Sequence, residues 1–162
     1  METFEKLRDA GKIRRWGVSN FDVDDMKELL SIENGTNCAT NQVLYNLEHR
    51  QIEFDLLAFV HQQSTLNYQL TLMAYSPVGH GRDLLKNATL KKIAKRHDAA
   101  SAQIALAWVL RQDSVIAIPK ASNEAHVREN AQSAKIRLTK QDLAEIDREF
   151  PRPKSKRPLP ML

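Results

Sequence analysis

Four short β-type runs, separated by segments of helical period, constrain this chain more than any other feature. The runs are Ile13 to Ser19, Thr40 to Tyr45, Leu70 to Tyr75 and Val115 to Ile118. Each ends near Gly, Asn, Ser or Pro, as strand ends should. Each is mostly apolar, which predicts strands buried on both faces.

Helical periods fill the intervals. Thr3 to Ala10 places Phe4 and Leu7 on one face. Asp22 stands as N-cap before a helix carrying Val23, Met26, Leu29 and Leu30. Ile52 to Gln63 is apolar at Ile52, Leu56, Phe59 and Val60, and Ala88 to Arg96 is basic and amphipathic. Ala102 to Arg111 is apolar almost all round, which predicts burial. Glu124 to Ser133 follows the last run. Thr139 to Glu149 opens with a capping signature, Thr139 and Asp142, flanked by Leu138 and Leu143 as a hydrophobic staple. The segment 64–69 reads as a short insertion before the third run.

The order is one helix, then strand and helix four times, with an extra helix before the fourth strand. Such alternation implies a parallel sheet built from right-handed crossovers. Two architectures fit: an open doubly wound sheet, or part of a (β/α)8 barrel. A full barrel takes about 250 residues and eight strands. This chain has 162 residues and four such runs.

Composition narrows the function classes. No apolar run approaches the ~18 residues of a membrane span. The start, Met1-Glu-Thr-Phe-Glu-Lys6, is polar and helical in pattern, unlike a signal peptide. Cys38 is the only cysteine, so no intramolecular disulfide forms, and a reducing cytoplasm is the expected setting. The net charge is +4, but Arg152, Lys154, Lys156 and Arg157 crowd into the last twelve residues. The body is therefore close to neutral, and the basic tail reads as solvated rather than as a nucleic-acid surface. The expected division is a domain over 1–150 and a proline-rich basic tail over 151–162.

The strand ends carry the chemistry, as they do in α/β proteins. After the first run comes Gly17-Val-Ser-Asn-Phe21. The second contains Asn41-Gln-Val-Leu-Tyr-Asn46. After the third comes Ala74-Tyr-Ser-Pro-Val-Gly79. After the fourth come Ile118-Pro-Lys120 and, ten residues beyond that lysine, Asn130. Amides and hydroxyls at the first two ends suit a carboxamide. Tyr75 offers a ring for stacking, and Ser-Pro-x-Gly offers backbone N–H groups to a phosphate. A lysine before a helix N-terminus offers positive charge to a second phosphate.

This ordered set resembles the aldo-keto reductase family. The strings that carry the resemblance are 11–21, 41–46, 73–79 and 118–120, with Ala105-Leu-Ala-Trp108 in the extra helix. The resemblance spans nearly the whole chain. It implies an α/β fold of parallel β/α units, the C-terminal half of a (β/α)8 TIM barrel, with the runs equivalent to strands 5–8. It implies reduction of aldehydes and ketones with a nicotinamide dinucleotide, NADP(H) ahead of NAD(H). By resemblance, Ser19, Asn20 and Gln42 hold the nicotinamide carboxamide and Tyr75 stacks on its ring. Ser76, Val78 and Gly79 line the pyrophosphate, with Val78 where leucine is usual. Lys120 meets the 2′-phosphate, with Ser122 and His126 beside it, and Glu129 and Asn130 meet the adenine.

Two positions depart from the family pattern. Ala121 stands where serine commonly follows the lysine, with Ser122 next. His126 stands where arginine is common. A neutral imidazole holds a phosphate less firmly than a guanidinium fork, which weakens the case for NADP(H) over NAD(H).

The family's catalytic tyrosine, lysine, aspartate and histidine belong to the first four barrel strands, so no catalytic residue is assigned here. Tyr45, Tyr68 and Tyr75 show no replacement set. His49, His61, His80, His97 and His126 have no metal-ligand spacing. The expectation is a truncated oxidoreductase that keeps the cofactor half and reduces no carbonyl alone. The alternative is an assembly module, dimerising through open sheet edges or completing a separate N-terminal half. A stand-alone phosphate-binding domain is a third reading, one that leaves the carboxamide-type residues without a role.

Overall fold

The computed structural model describes residues 1–65, 70–80 and 83–162. The helices are α1 (Glu2–Asp9), α2 (Val23–Ser31), α3 (Leu56–Thr65), α4 (Asp83–Lys86), α5 (Ala88–Arg96), α6 (Ser101–Leu110), α7 (Glu124–Gln132) and α8 (Lys140–Glu149). The strands are β1 (Trp16–Ser19), β2 (Cys38–Leu44), β3 (Thr71–Tyr75) and β4 (Val115–Ala117). They form one sheet in the order β1-β2-β3-β4, every pair parallel.

That order decides between the two architectures. A doubly wound sheet reverses its strand order at a switch point. Here each strand lies beside its predecessor, as in a barrel wall.

Burial alternates along the strands. Val18, Asn41, Leu72 and Val115 are register partners across the sheet, and the last three are buried beneath the helices. The opposite row runs Ser19, Gln42, Met73 and Ile116, and Ile116 is 45% exposed. The expectation of strands buried on both faces is therefore corrected: one face is packed and the other half open.

Local chemistry explains the element bounds. Asp22 caps α2, its carboxylate accepting the N–H groups of Asp24 and Asp25. β1 starts three residues later than the apolar pattern suggests. The N–H groups of Lys12 and Ile13 instead turn back to the Leu7 carbonyl at the end of α1. The period over 52–63 divides into a 3₁₀ turn, Gln51–Glu53, followed by α3. Arg50 and Glu53 pair at 2.7 Å across that turn, both nearly fully buried. Of the 64–69 insertion, α3 takes its first two residues, and 66–69, with Tyr68, lie outside the described residues.

α1 is also corrected. Phe4 and Leu7 are 42% and 38% exposed, while Glu5 is buried. The Glu5 carboxylate accepts the Trp16 indole N–H at 2.7 Å and the Asn37 amide at 2.9 Å. α6 is buried from Gln103 to Val109, as its apolar surface predicts. Trp108 forms its centre, with the Arg111 and Arg50 guanidinium groups 4.0 and 5.0 Å from its ring. The four basic residues of the tail are exposed, as expected, and the tail also touches the fold: Lys156 pairs with Asp24 at 2.9 Å and Asp22 at 3.3 Å, and Leu159 packs against the core.

α5 and α8 are joined by Asp142, whose side chain is 1% exposed. One oxygen accepts from Arg96 at 2.5 Å; the other accepts from His97, the Thr139 N–H and the Thr139 hydroxyl, each at 2.8 Å. Burial works against the charge, but the bonds from His97, Thr139 and Arg96 outweigh it and hold the carboxyl well below the usual carboxylate range. A depressed folded-state pKa contributes stability that is complete above the unfolded value, about 3.9, and is lost as pH falls through the folded one. We expect Asp142→Asn to cost roughly 3 kcal/mol at pH 7. Below about pH 4 the parent should lose melting temperature faster than the variant; parallel curves would contradict this.

Candidate functional site

Parallel pairing brings the C-terminal ends of all four strands to one edge of the sheet. Ser19 and Gln42 are register partners there. The Ser19 hydroxyl and the Asn20 N–H both donate to the Gln42 carbonyl, at 3.1 and 2.8 Å. Asn20 has φ +57°, the left-handed region that asparagine tolerates better than most residues. Its Oδ1 is buried and has no hydrogen-bond partner among the described residues. An unpaired buried acceptor costs about 1–3 kcal/mol. The Gln42 side-chain amide rests only 3.3 Å from the Met73 sulfur, a weak acceptor that a carbonyl oxygen would displace. A ligand group with an N–H donor and a carbonyl acceptor side by side, such as a carboxamide, would satisfy both positions.

Tyr75 ends β3 two residues beyond Met73, so its half-buried ring lies on the same sheet face as Gln42. The chain then turns sharply. Ser76 has φ +46° and Gly79 φ +84°, and the Gly79 N–H donates to the Ser76 carbonyl at 3.0 Å. A β-carbon on Gly79 would stand 3.0 Å from Leu84 and 3.2 Å from the Glu48 carboxylate, so the turn needs glycine twice over. Val78 lies between them, half buried.

The fourth strand end is the most exposed. Lys120 and Ser122 are open to solvent, and no described carboxylate pairs with Lys120. Asn123 caps α7 by accepting the His126 N–H at 2.9 Å, and the His126 ring nitrogen lies 3.2 Å from the Asn123 amide. An apolar cleft of about 360 Å³ runs between α6 and α7, lined by Leu106, Ala117, Pro119, Val127 and Asn130 among others. Glu129 is exposed and does not line it; its backbone carbonyl instead accepts from Gln103 at 3.1 Å.

The structure thus gathers Ser19, Asn20 and Gln42 into one cluster. Tyr75, Ser76, Val78 and Gly79 stand on the next strand end. Lys120, Ser122 and His126 lie at the start of α7, and Glu129 and Asn130 a turn further along. Sequence reading gave no role to two fully buried amides of β2 and its loop, Asn41 and Asn46. A signal was available for Asn41, which alternates with the buried apolar residues Val43 and Tyr45, whereas Asn46 lies in the loop beyond the strand.

The Aldo/keto reductase family model matches residues 1–149. The chain belongs to the aldo/keto reductase family. It is 49% identical over 162 residues to methylglyoxal reductase YeaE of Escherichia coli, covering 98% of this chain and 55% of that protein. It is 36% identical over 143 residues to the glyoxal reductase of Bacillus subtilis, covering 88% of this chain and 48% of that protein. An aldo-keto reductase from Klebsiella pneumoniae, solved in complex with NADPH, superposes with a TM-score of 0.91 at 44% identity, covering 99% of this chain and 56% of that one. A second structure from that organism, with NADP and acetate, gives 0.92 at 42% identity, again over 99% and 56%. The chain spans about half the length of the curated relatives it matches. Its four parallel β/α units are therefore half of the aldo/keto reductase barrel. No helix among the described residues is long and apolar enough to cross a membrane.

Proposed function

We propose that this chain forms the dinucleotide-binding half of an NADP(H)-dependent reductase of aldehydes and ketones. The Ser19–Asn20–Gln42 cluster beside the strand that ends in Tyr75, with the Asn20 Oδ1 unpartnered among the described residues, is the observation that carries the reading. Asn20 accepts the carboxamide N–H and Gln42 donates to its oxygen, which fixes the nicotinamide face. Tyr75 stacks on the ring and excludes water from one side. The Ser76 to Gly79 turn cradles the pyrophosphate, and Lys120, with Ser122 and His126, meets the 2′-phosphate. Asn130, which lines the α6–α7 cleft, and the exposed Glu129 outside it border the adenine. When bound, the cofactor supplies the hydride. The relatives named as methylglyoxal and glyoxal reductases favour small dicarbonyl substrates for the whole protein.

Carbonyl reduction also needs a proton donor at the carbonyl oxygen. Tyr45 does not fit that role. It is fully buried, its hydroxyl donates to Glu53 at 2.7 Å, and burial raises its pKa far above neutrality. With Tyr75 committed to stacking, these residues bind and orient, and the chain by itself reduces no carbonyl.

A second reading rests on the sheet. β1 and β4 each pair on one side only among the described residues, and Ile116 and Ile118 are 45% and 40% exposed. Open parallel edges invite another chain. Under this reading light scattering gives a discrete dimer; a monomer at all concentrations would rule it out.

The cofactor reading is tested by titrating NADPH and NADH against tryptophan and tyrosine fluorescence. Saturable quenching by NADPH is expected. Lys120→Ala should weaken NADPH about tenfold, or ~1.4 kcal/mol, and leave NADH unchanged. His126→Arg should strengthen NADPH alone. No quenching in a folded sample, or equal loss for both nucleotides, would contradict the assignment.

A further inference from the structure

Asn41, within β2, and Asn46, in the loop just beyond it, are both 0% exposed. A buried amide is costly unless both its donor and its acceptor are bonded, and apolar residues are the usual choice at such positions. In each, both the amide nitrogen and the amide oxygen are bonded, and each reaches away from β2.

Asn41 reaches back to the loop before α2. Its Nδ2 donates to the Phe21 carbonyl at 2.7 Å, and its Oδ1 accepts the Phe21 N–H at 3.3 Å. Phe21 directly follows Asn20, the left-handed residue at φ +57°. Asn46 reaches forward to the loop after β3. Its Nδ2 donates to the carbonyl of Ser76, the left-handed residue at φ +46°. That bond is 2.9 Å long. The Asn46 Oδ1 accepts the N–H groups of Glu48 and His49, both at 2.9 Å, and lies 3.1 Å from the His49 ring nitrogen.

Both loops therefore carry a non-glycine residue in the left-handed region, at a cost of roughly 1–2 kcal/mol for Ser76 and less for Asn20. Such a residue persists only where its surroundings hold it. Asn41 in β2 holds one loop and Asn46 just beyond it holds the other, with one residue type. Aspartate could not replace either asparagine, because it brings a charge and no donor.

We infer that Asn41 and Asn46 are positioning residues that fix the distance between the carboxamide loop and the pyrophosphate loop. This rests on the reading of Ser19 to Asn20 and Ser76 to Gly79 as cofactor loops. A dinucleotide spans both loops, so its affinity depends on their spacing. Adenosine 2′,5′-bisphosphate would engage only the Lys120 end and does not depend on it.

The test measures both ligands by calorimetry on the parent, Asn41→Ala, Asn46→Ala and Asn46→Ala with Ser76→Gly. Asn41→Ala leaves the part-buried Phe21 carbonyl without its side-chain donor, and Asn46→Ala leaves the Ser76 carbonyl with the Gly79 N–H alone; each should weaken NADPH about tenfold, with the bisphosphate within about twofold of the parent. Ser76→Gly should restore most of the loss in Asn46→Ala, because glycine adopts φ +46° without support. Hydrogen exchange adds a readout without ligand: the Glu48 and His49 amides should lose protection in Asn46→Ala. Unchanged NADPH affinity, failure of the rescue, or equal loss for both ligands would overturn the inference. Unfolding of both single variants would make them general core supports and overturn it too. A parent that binds neither ligand would fail the cofactor reading itself, whereas a binding parent with unaffected variants fails this inference alone.

Discussion

Each strand of this sheet hydrogen-bonds to the one before it and runs in the same direction, so every crossover must carry the chain back outside the sheet. Helices do that work, and they bury the Asn41–Leu72–Val115 face. The same geometry places all four strand ends at one edge. A site built there needs no long-range coincidence in the sequence. Short polar strings after each strand become neighbours because the strands are neighbours. Register sharpens this: Ser19 opposite Gln42, and Gln42 opposite Met73, put a carboxamide-sized set of polar atoms in one row.

The edge must also be stiff, and buried polar bonds make it so. Asn41 in β2 and Asn46 just beyond it bond to the loops that carry the two left-handed residues. Arg50 and Glu53 pin the turn that follows β2, and Arg50 also donates to the Phe150 carbonyl at the end of α8. These groups are expensive to bury singly and are stable only as completed sets. Within that framework the Asn20 Oδ1 is a buried acceptor left without a partner among the described residues. The contrast with Lys120 is instructive. That residue is exposed and pairs with no described carboxylate, which suits the proposed phosphate contact.

Much of this was legible beforehand. The alternation of runs, the Asp22 cap and the Thr139–Asp142 box each appear where local chemistry puts them. The strings after each strand also fall on one edge. Other features could not be read locally. Glu5 is buried and Phe4 exposed on α1 because Trp16 and Asn37, distant in sequence, offer the carboxylate two donors. β1 starts late because α1 claims the amides of residues 12 and 13. Strand pattern alone also could not reveal that one sheet face stays half open, since apolar side chains line it as they would a buried wall. The choice between a doubly wound sheet and a barrel wall turned on strand order, which no local signal encodes.

The proposed cradle draws on all four strand ends to hold a single dinucleotide. Isotope-labelled protein titrated with NADP⁺ tests this most directly, by following individual amide signals. The side-chain amides of Asn20 and Gln42 and the backbone N–H of Gly79 should shift together and saturate with Lys120 at one ligand concentration. Shifts confined to the Lys120 to Asn130 end, or saturation at different concentrations, would mean that the cradle is not assembled and would contradict the account.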